Sequence, residues 1–196
     1  MWALVESNNI SKIYARPTAL ELNGIRHPAN IFNLWTEAEL KAIGIYEITV
    51  DNTNLKDKEY YQNTDITYTY NSSPDTVTGA YGTATAKSLN DTTSTDPSTG
   101  NQSTVYGLKT LHKNRVNSEA NALLSTYDWY TLRATDGGTA VPSSVSTYRT
   151  AVRTKANQMT TAIDNAADVD ALAALYVYNS DDPPTRPLGE FPDEPS

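Results

Sequence analysis

The chain has 196 residues, 38% of them hydrophobic, which is enough for one ordinary domain or two small ones. Fifteen basic against 23 acidic side chains give a net charge of −8, which repels a phosphate backbone and argues against nucleic acid as a partner. The absence of cysteine removes disulfides, thiolate metal sites and a cysteine nucleophile. No apolar run reaches the roughly 20 residues that span a bilayer, and Met1-Trp2-Ala3-Leu4-Val5 lacks the basic start and the length of a signal peptide. A cytoplasmic origin without membrane insertion is therefore expected.

In chain order, Trp2–Val5 and Ile10–Tyr14 read as a hairpin about Ser7-Asn8-Asn9, and Leu20–Leu22 with Ile25–His27 as a second about Asn23-Gly24, the pair that best tolerates a type I′ turn. Thr36-Glu37-Ala38-Glu39 fits a capping box, with Trp35 and Leu40 at the two staple positions, and Gly44 ends that short helix. Ile45–Val50 alternates as a half-buried strand. Ile66–Tyr70 and Thr76–Thr78 predict a third hairpin, and Thr83–Ala86 could continue its second strand past a bulge. Thirteen tyrosines against two phenylalanines suit either broad polar interfaces or a polar β domain. Residues 88–104 hold one large apolar residue, Leu89, among Ser, Thr, Asn, Asp, Gly, Gln and Pro, which reads as a polar low-complexity linker.

Two helices are predicted beyond it. In the first, Leu108, Leu111, Val116, Ala120, Leu123 and Leu124 form a stripe, and the pattern can run to or past Trp129. The second starts near Pro142, whose missing N–H suits a first turn, and aligns Val145, Tyr148, Val152, Ala156, Met159 and Ile163 on one narrow face. One thin seam does not offset the ordering cost of two long helices, so a third surface is expected, either a partner chain or the N-terminal domain. Trp129, beside Tyr127 and Tyr130, either plugs the top of this hairpin or forms a binding hot spot. Asp168 caps a short helix, and the five prolines after Asn179 predict an extended tail that Leu188 and Phe191 pin to a groove. The fold class is then α+β: a small β-rich N-terminal domain with one short helix (1–87), a linker (88–106), a helical hairpin with a short helix (107–178) and an extended Pro-rich tail (179–196).

The chain carries little that points to chemistry. His27 and His112 lie in different predicted domains with no second ligand at a metal-binding spacing, and Asp168-Val169-Asp170 and Asp181-Asp182 lack the ligand loop of a hard-cation site. No phosphate-binding glycine loop, nucleophile elbow or His-Glu-x-x-His occurs. Neither catalytic residues nor a cofactor are assigned. The candidate interface residues are Trp129, Tyr127, Tyr130, Val145, Tyr148, Val152, Met159, Ile163, Leu188 and Phe191.

The ordered words Leu123-Leu124, Asp128-Trp129, Pro142, Tyr148-Arg149 and Arg153, with Phe191-Pro192 near the end, resemble the helical segment of bacteriophage tail fibre assembly proteins of the tail assembly chaperone type. Met1–Glu6 and Leu34–Leu40 through Tyr46 look like the N-terminal parts of uncharacterised proteins of tailed, notably marine, phages. The resemblance implies a non-enzymatic virion protein of the tail, at or near the fibre or baseplate attachment and made in the host bacterial cytoplasm. Its partners would be other tail proteins and possibly copies of itself. A tail fibre assembly chaperone is the alternative, and a glycan-degrading tail enzyme with paired carboxylates is a third, different in class.

Overall fold

The computed structural model describes residues 1–195 and contains both strands and helices. Its contacts divide it into two units, Met1–Thr85 and Ala86 onward.

Unit 1 is built on a five-stranded mixed sheet. β1 (Trp2–Glu6) pairs antiparallel with β2 (Asn9–Tyr14) through a turn in which Ser7 and Asn8 both take positive φ. The hairpin β3 (Leu20–Leu22) and β4 (Ile25–His27) turns on Asn23 and Gly24, with φ of 49° and 78°, as the Asn-Gly pair requires. Two short helices follow, α1 (Ile31–Leu34) and α2 (Glu37–Ala42). In α2 the Thr36 and Glu39 capping box is complete, and those hydrogen bonds hold the Glu39 carboxyl below its usual range. Gly44 then reverses the chain at φ 81°; a Cβ there would sit 2.9 Å from the Val5 carbonyl oxygen, so the position demands glycine.

Next come β5 (Ile45–Asp51), the short β6 (Tyr61–Gln62), β7 (Ile66–Asn71), β8 (Thr76–Tyr81) and β9 (Thr85–Ala86). The main sheet runs β2-β1-β5-β8-β7, with β5 and β8 parallel and the other neighbours antiparallel. Alternation along β1 and β5 sorts the core. Leu4 and Ile45 face Tyr14, Leu20, Ile31, Phe32 and Leu40 on one side, while Ala3, Tyr46 and Ile48 face Val77 on the other, beside Tyr68 and Tyr70. The sheet curls until its edge strands β2 and β7 approach, which encloses that second face. Thr83–Ala86 does not continue β8, because the strand ends at Tyr81 and β9 is a separate element.

In unit 2 the segment expected as a linker holds an antiparallel hairpin, β10 (Thr92–Thr95) and β11 (Gln102–Val105). Its Thr and Ser side chains are exposed on both faces, so no apolar pattern signals it. Two local devices hold it. At the tip, the Asp96 carboxylate accepts from the Ser98 N–H (2.8 Å), the Ser98 hydroxyl (2.6 Å) and the Thr99 N–H (3.3 Å), and these bonds pull its pKa down to about 2. At the base, α3 (Leu108–Ser125) donates its first free N–H groups backwards: Leu108 to the Ser88 carbonyl and Lys109 to that of Leu89, with Gly107 N–H on Asp91 Oδ1. Gly107 packs so closely that a Cβ would overlap the Asn90 backbone.

α3 is followed by α4 (Asp128–Thr135), α5 (Ser143–Asn165) and α6 (Val169–Ala174). α5 buries the six residues its periodicity predicts, with Val152 and Ile163 fully covered. α3 meets it with Leu108, His112, Val116 and Ala120, at steps of four, so Leu111 is half exposed and His112 takes the core position. The third surface comes from the unit itself. Val169, Leu172 and Leu188 are buried, the Tyr176 hydroxyl lies 2.8 Å from His112 Nδ1, and the Leu188 N–H donates to the Leu175 carbonyl. Residues 179–189 are not extended. Asn179 accepts from the Thr185 N–H and closes a loop, and a turn at Gly189 follows.

Gly107→Ala is expected to destabilise unit 2 by about 1–3 kcal/mol, the cost of forcing extra volume against fixed backbone, measured by denaturant unfolding. The hairpin tip carries a pH dependence. Because the Asp96 pKa is depressed on folding, its contribution is present above the ordinary carboxylate pKa of about 3.9 and is lost as pH falls through about 2. The protection of the Ser98 and Thr99 amides, taken relative to the intrinsic exchange rate at each pH, should fall in that window and stay constant above it.

Candidate protein interface

The corner between α3, α4 and α5 is where the unit turns apolar surface outward. At the end of α3 the Ser125 hydroxyl donates to the Ala122 carbonyl at 2.8 Å. Tyr127, at φ −109° and ψ 5°, breaks the helix, and Asp128 begins α4 with a negative charge in its first turn. α4 ends at Asp136 before Gly137 at φ 82°. None of its residues is buried. Trp129 is 49% exposed and Leu132 66% exposed, three residues apart and hence on one side of the helix.

This face is ordered by stacking. The Trp129 and Tyr130 rings lie 3.8 Å apart, and the Arg133 guanidinium sits 4.8 Å from the Trp129 centroid and 5.3 Å from that of Tyr130. Tyr127 stacks on Tyr130 at 6.3 Å and meets Tyr148 edge-on at 5.2 Å. An aromatic ladder thus runs from half-exposed Trp129 inward to Tyr148, which is 5% exposed. Arg149 fixes the corner, pairing with Asp128 Oδ1 at 2.8 Å and donating to the Leu124 carbonyl at 2.8 Å. The tail reaches the same place, since the Tyr127 hydroxyl donates to Glu194 at 3.4 Å. Burial, reinforced by Glu194, raises the pKa of both Tyr127 and Tyr148. Among the described residues, two polar side-chain atoms are buried here without a hydrogen-bond partner, the Tyr148 hydroxyl and Arg133 Nε.

Of the residues expected at an interface, Trp129 is exposed and Tyr127, Tyr130 and Phe191 are half buried. Val145, Tyr148, Val152, Met159, Ile163 and Leu188 are buried within unit 2 and offer no surface, because the seam is closed from inside. Trp129 does not plug the hairpin. Leu132 and Arg133 were missed, although they follow Trp129 at the three- and four-residue spacing of one helical side, and Arg149 entered only through the resemblance.

Elsewhere, an open groove of about 650 Å3 runs between α5 and the tail, lined by Ser146, Thr150, Thr154, Lys155, Glu190 and Pro192 among others. In unit 1 a cleft of about 160 Å3 holds Lys41, whose amine is committed to Glu37 (2.9 Å) and the Asp75 carbonyl (2.9 Å). Among the described residues no three His, Asp or Glu side chains group as metal ligands, and no helix is long and apolar enough to cross a membrane. Compared with protein families, curated proteins and solved structures, the chain has no significant match.

Tyr148→Phe should leave stability unchanged or raise it, since it removes a buried hydroxyl that has no partner. A drop in melting temperature of several degrees would show that the hydroxyl is satisfied in solution.

Proposed function

We propose that this chain is a non-enzymatic structural protein of a bacteriophage tail, at or near the fibre or baseplate attachment, and that the α4 face is its contact with another tail protein. The observation that carries the reading is the unpartnered Trp129 and Leu132 face, held rigid by Tyr130 and Arg133. A pre-ordered aromatic and arginine surface loses little entropy on binding, which is how hot spots are built. The resemblance to tail fibre assembly proteins adds support through its particular residues. Arg149 donates to the Leu124 carbonyl and pairs with Asp128 at this corner, and Tyr148 ends its aromatic ladder, so several of the residues that carry the resemblance meet beside the face. The same surface also suits a tail fibre assembly chaperone, which would use it transiently and leave.

Trp129→Ala with Leu132→Ser should preserve the fold, because neither side chain belongs to the core of the unit, and should weaken partner binding by about 30-fold or more, on the order of 2 kcal/mol. Co-sedimentation of the protein with purified tails reads the loss. Stoichiometric amounts in purified virions support a resident protein; presence in the infected cell but absence from virions would favour the chaperone.

A further inference from the structure

The hairpin β10–β11 has an unguarded edge. In monomeric proteins the edge of a sheet is protected by charge, proline, a bulge or a covering element, because its free N–H and C=O groups otherwise recruit another strand. β10 is guarded by Asp91 at one end and Asp96-Pro97 at the other, β2 carries Lys12, and β2 and β7 approach each other in the curled sheet. β11 has none of these. From Gly100 to Leu108 there is neither a charged residue nor a proline, and Gln102 to Tyr106 are all exposed. β11 has only β10 as a neighbour in its sheet.

The phase of the ladder fixes which groups are free. Asp96 N–H donates to the Asn101 carbonyl across the tip. Antiparallel alternation then turns the backbone groups of Ser94/Ser103 and Thr92/Val105 inward, and those of Thr93/Thr104 and Thr95/Gln102 outward. Gln102 and Thr104 therefore present N–H and C=O to solvent, and Tyr106 follows in the same phase. Beside this edge, Val105 is 68% and Tyr106 57% exposed. A two-stranded ribbon with hydroxyls on both faces has no core of its own and is marginal in water, whereas additional strands stabilise it.

We infer that β11 is a dimerisation edge, pairing antiparallel with β11 of a second copy about a two-fold axis through Thr104. The sequence fits itself in that register. Thr104 faces Thr104, Ser103 lies opposite Val105 of the second copy, and Gln102 lies opposite Tyr106, whose ring covers the glutamine stem. No like charges meet, and an isologous contact of this kind closes on itself without propagating. Pairing through β10 about an axis at Thr93 would instead bring the Asp91 end of one copy beside the Asp96-Pro97 end of the other, which favours the β11 edge. The resulting sheet, β10-β11-β11-β10, reduces the exposure of Val105 and Tyr106. This pairing does not rest on the tail reading and uses a surface separate from α4.

The test uses the full chain and its sedimentation at micromolar concentration, where the wild type should be a dimer. Thr104→Lys and Thr104→Glu each place like charges across the axis at an exposed position and should each be monomeric, with a far-ultraviolet circular dichroism spectrum that shows the fold retained. Mixing the two variants in equal amounts should restore a dimer. A wild type that sediments only as a monomer overturns the inference, as does a dimer that survives either substitution. A mixture that stays monomeric removes Thr104 from the axis and overturns the pairing as well.

Discussion

The contact on which unit 2 depends is the one between His112 and Tyr176. α3 places an imidazole where its neighbours at steps of four are Leu108, Val116 and Ala120, and His112 is 1% exposed. A buried polar ring needs a partner, and the Tyr176 hydroxyl at 2.8 Å supplies it while its own ring packs at 4.9 Å. That bond ties the end of α6 to α3. From there Leu188 is drawn in, its N–H on the Leu175 carbonyl, and the segment beyond it reaches Tyr127 through Glu194. The α3–α5 seam is thereby covered by later residues of the same unit, and it needs no partner chain to exclude water.

This closure decides what the unit can offer to others. With Val145, Val152, Met159 and Ile163 inside, apolar surface remains where an element has nothing behind it. α4 is such an element, short, unburied and braced from one end by Arg149. The β10–β11 hairpin is another, standing on the N-terminus of α3 by the Ser88 and Leu89 carbonyls. Both carry local bonds, α4 among its stacked rings and the hairpin at Asp96, so the contacts proposed for them would find part of the ordering cost already met in the free protein.

Much of the fold was legible because it is written in interactions a few residues long. Thr36 with Glu39, Asn23 with Gly24, Pro142 before α5 and the three- and four-residue spacing from Val145 to Ile163 each act within one turn of chain, and each takes the form the sequence predicts. The candidate site was half legible. Trp129, Tyr127 and Tyr130 announced themselves by composition, and Leu132 and Arg133 follow Trp129 by three and four residues, on the same side of a helix. Whether that side faces the hairpin or solvent was not legible, because it depends on the break at Tyr127 and on how α4 is placed beyond it.

The sequence by itself determined the turns, the caps and the narrow stripe of α5, since local backbone preference and side-chain period are properties of neighbours in the chain. Tertiary structure alone decided the rest. His112 entered the core in place of Leu111 because α5 meets α3 along positions four apart. The Ser- and Thr-rich segment became a hairpin because the unsatisfied N–H groups of α3 gave its base carbonyls a partner. β5 and β8 came to lie parallel, a pairing between distant segments that carries no local signal. Burial of the seam followed likewise from residues beyond Ala166 folding back on their own unit, because a stripe of apolar side chains specifies that it will be covered and leaves open by what.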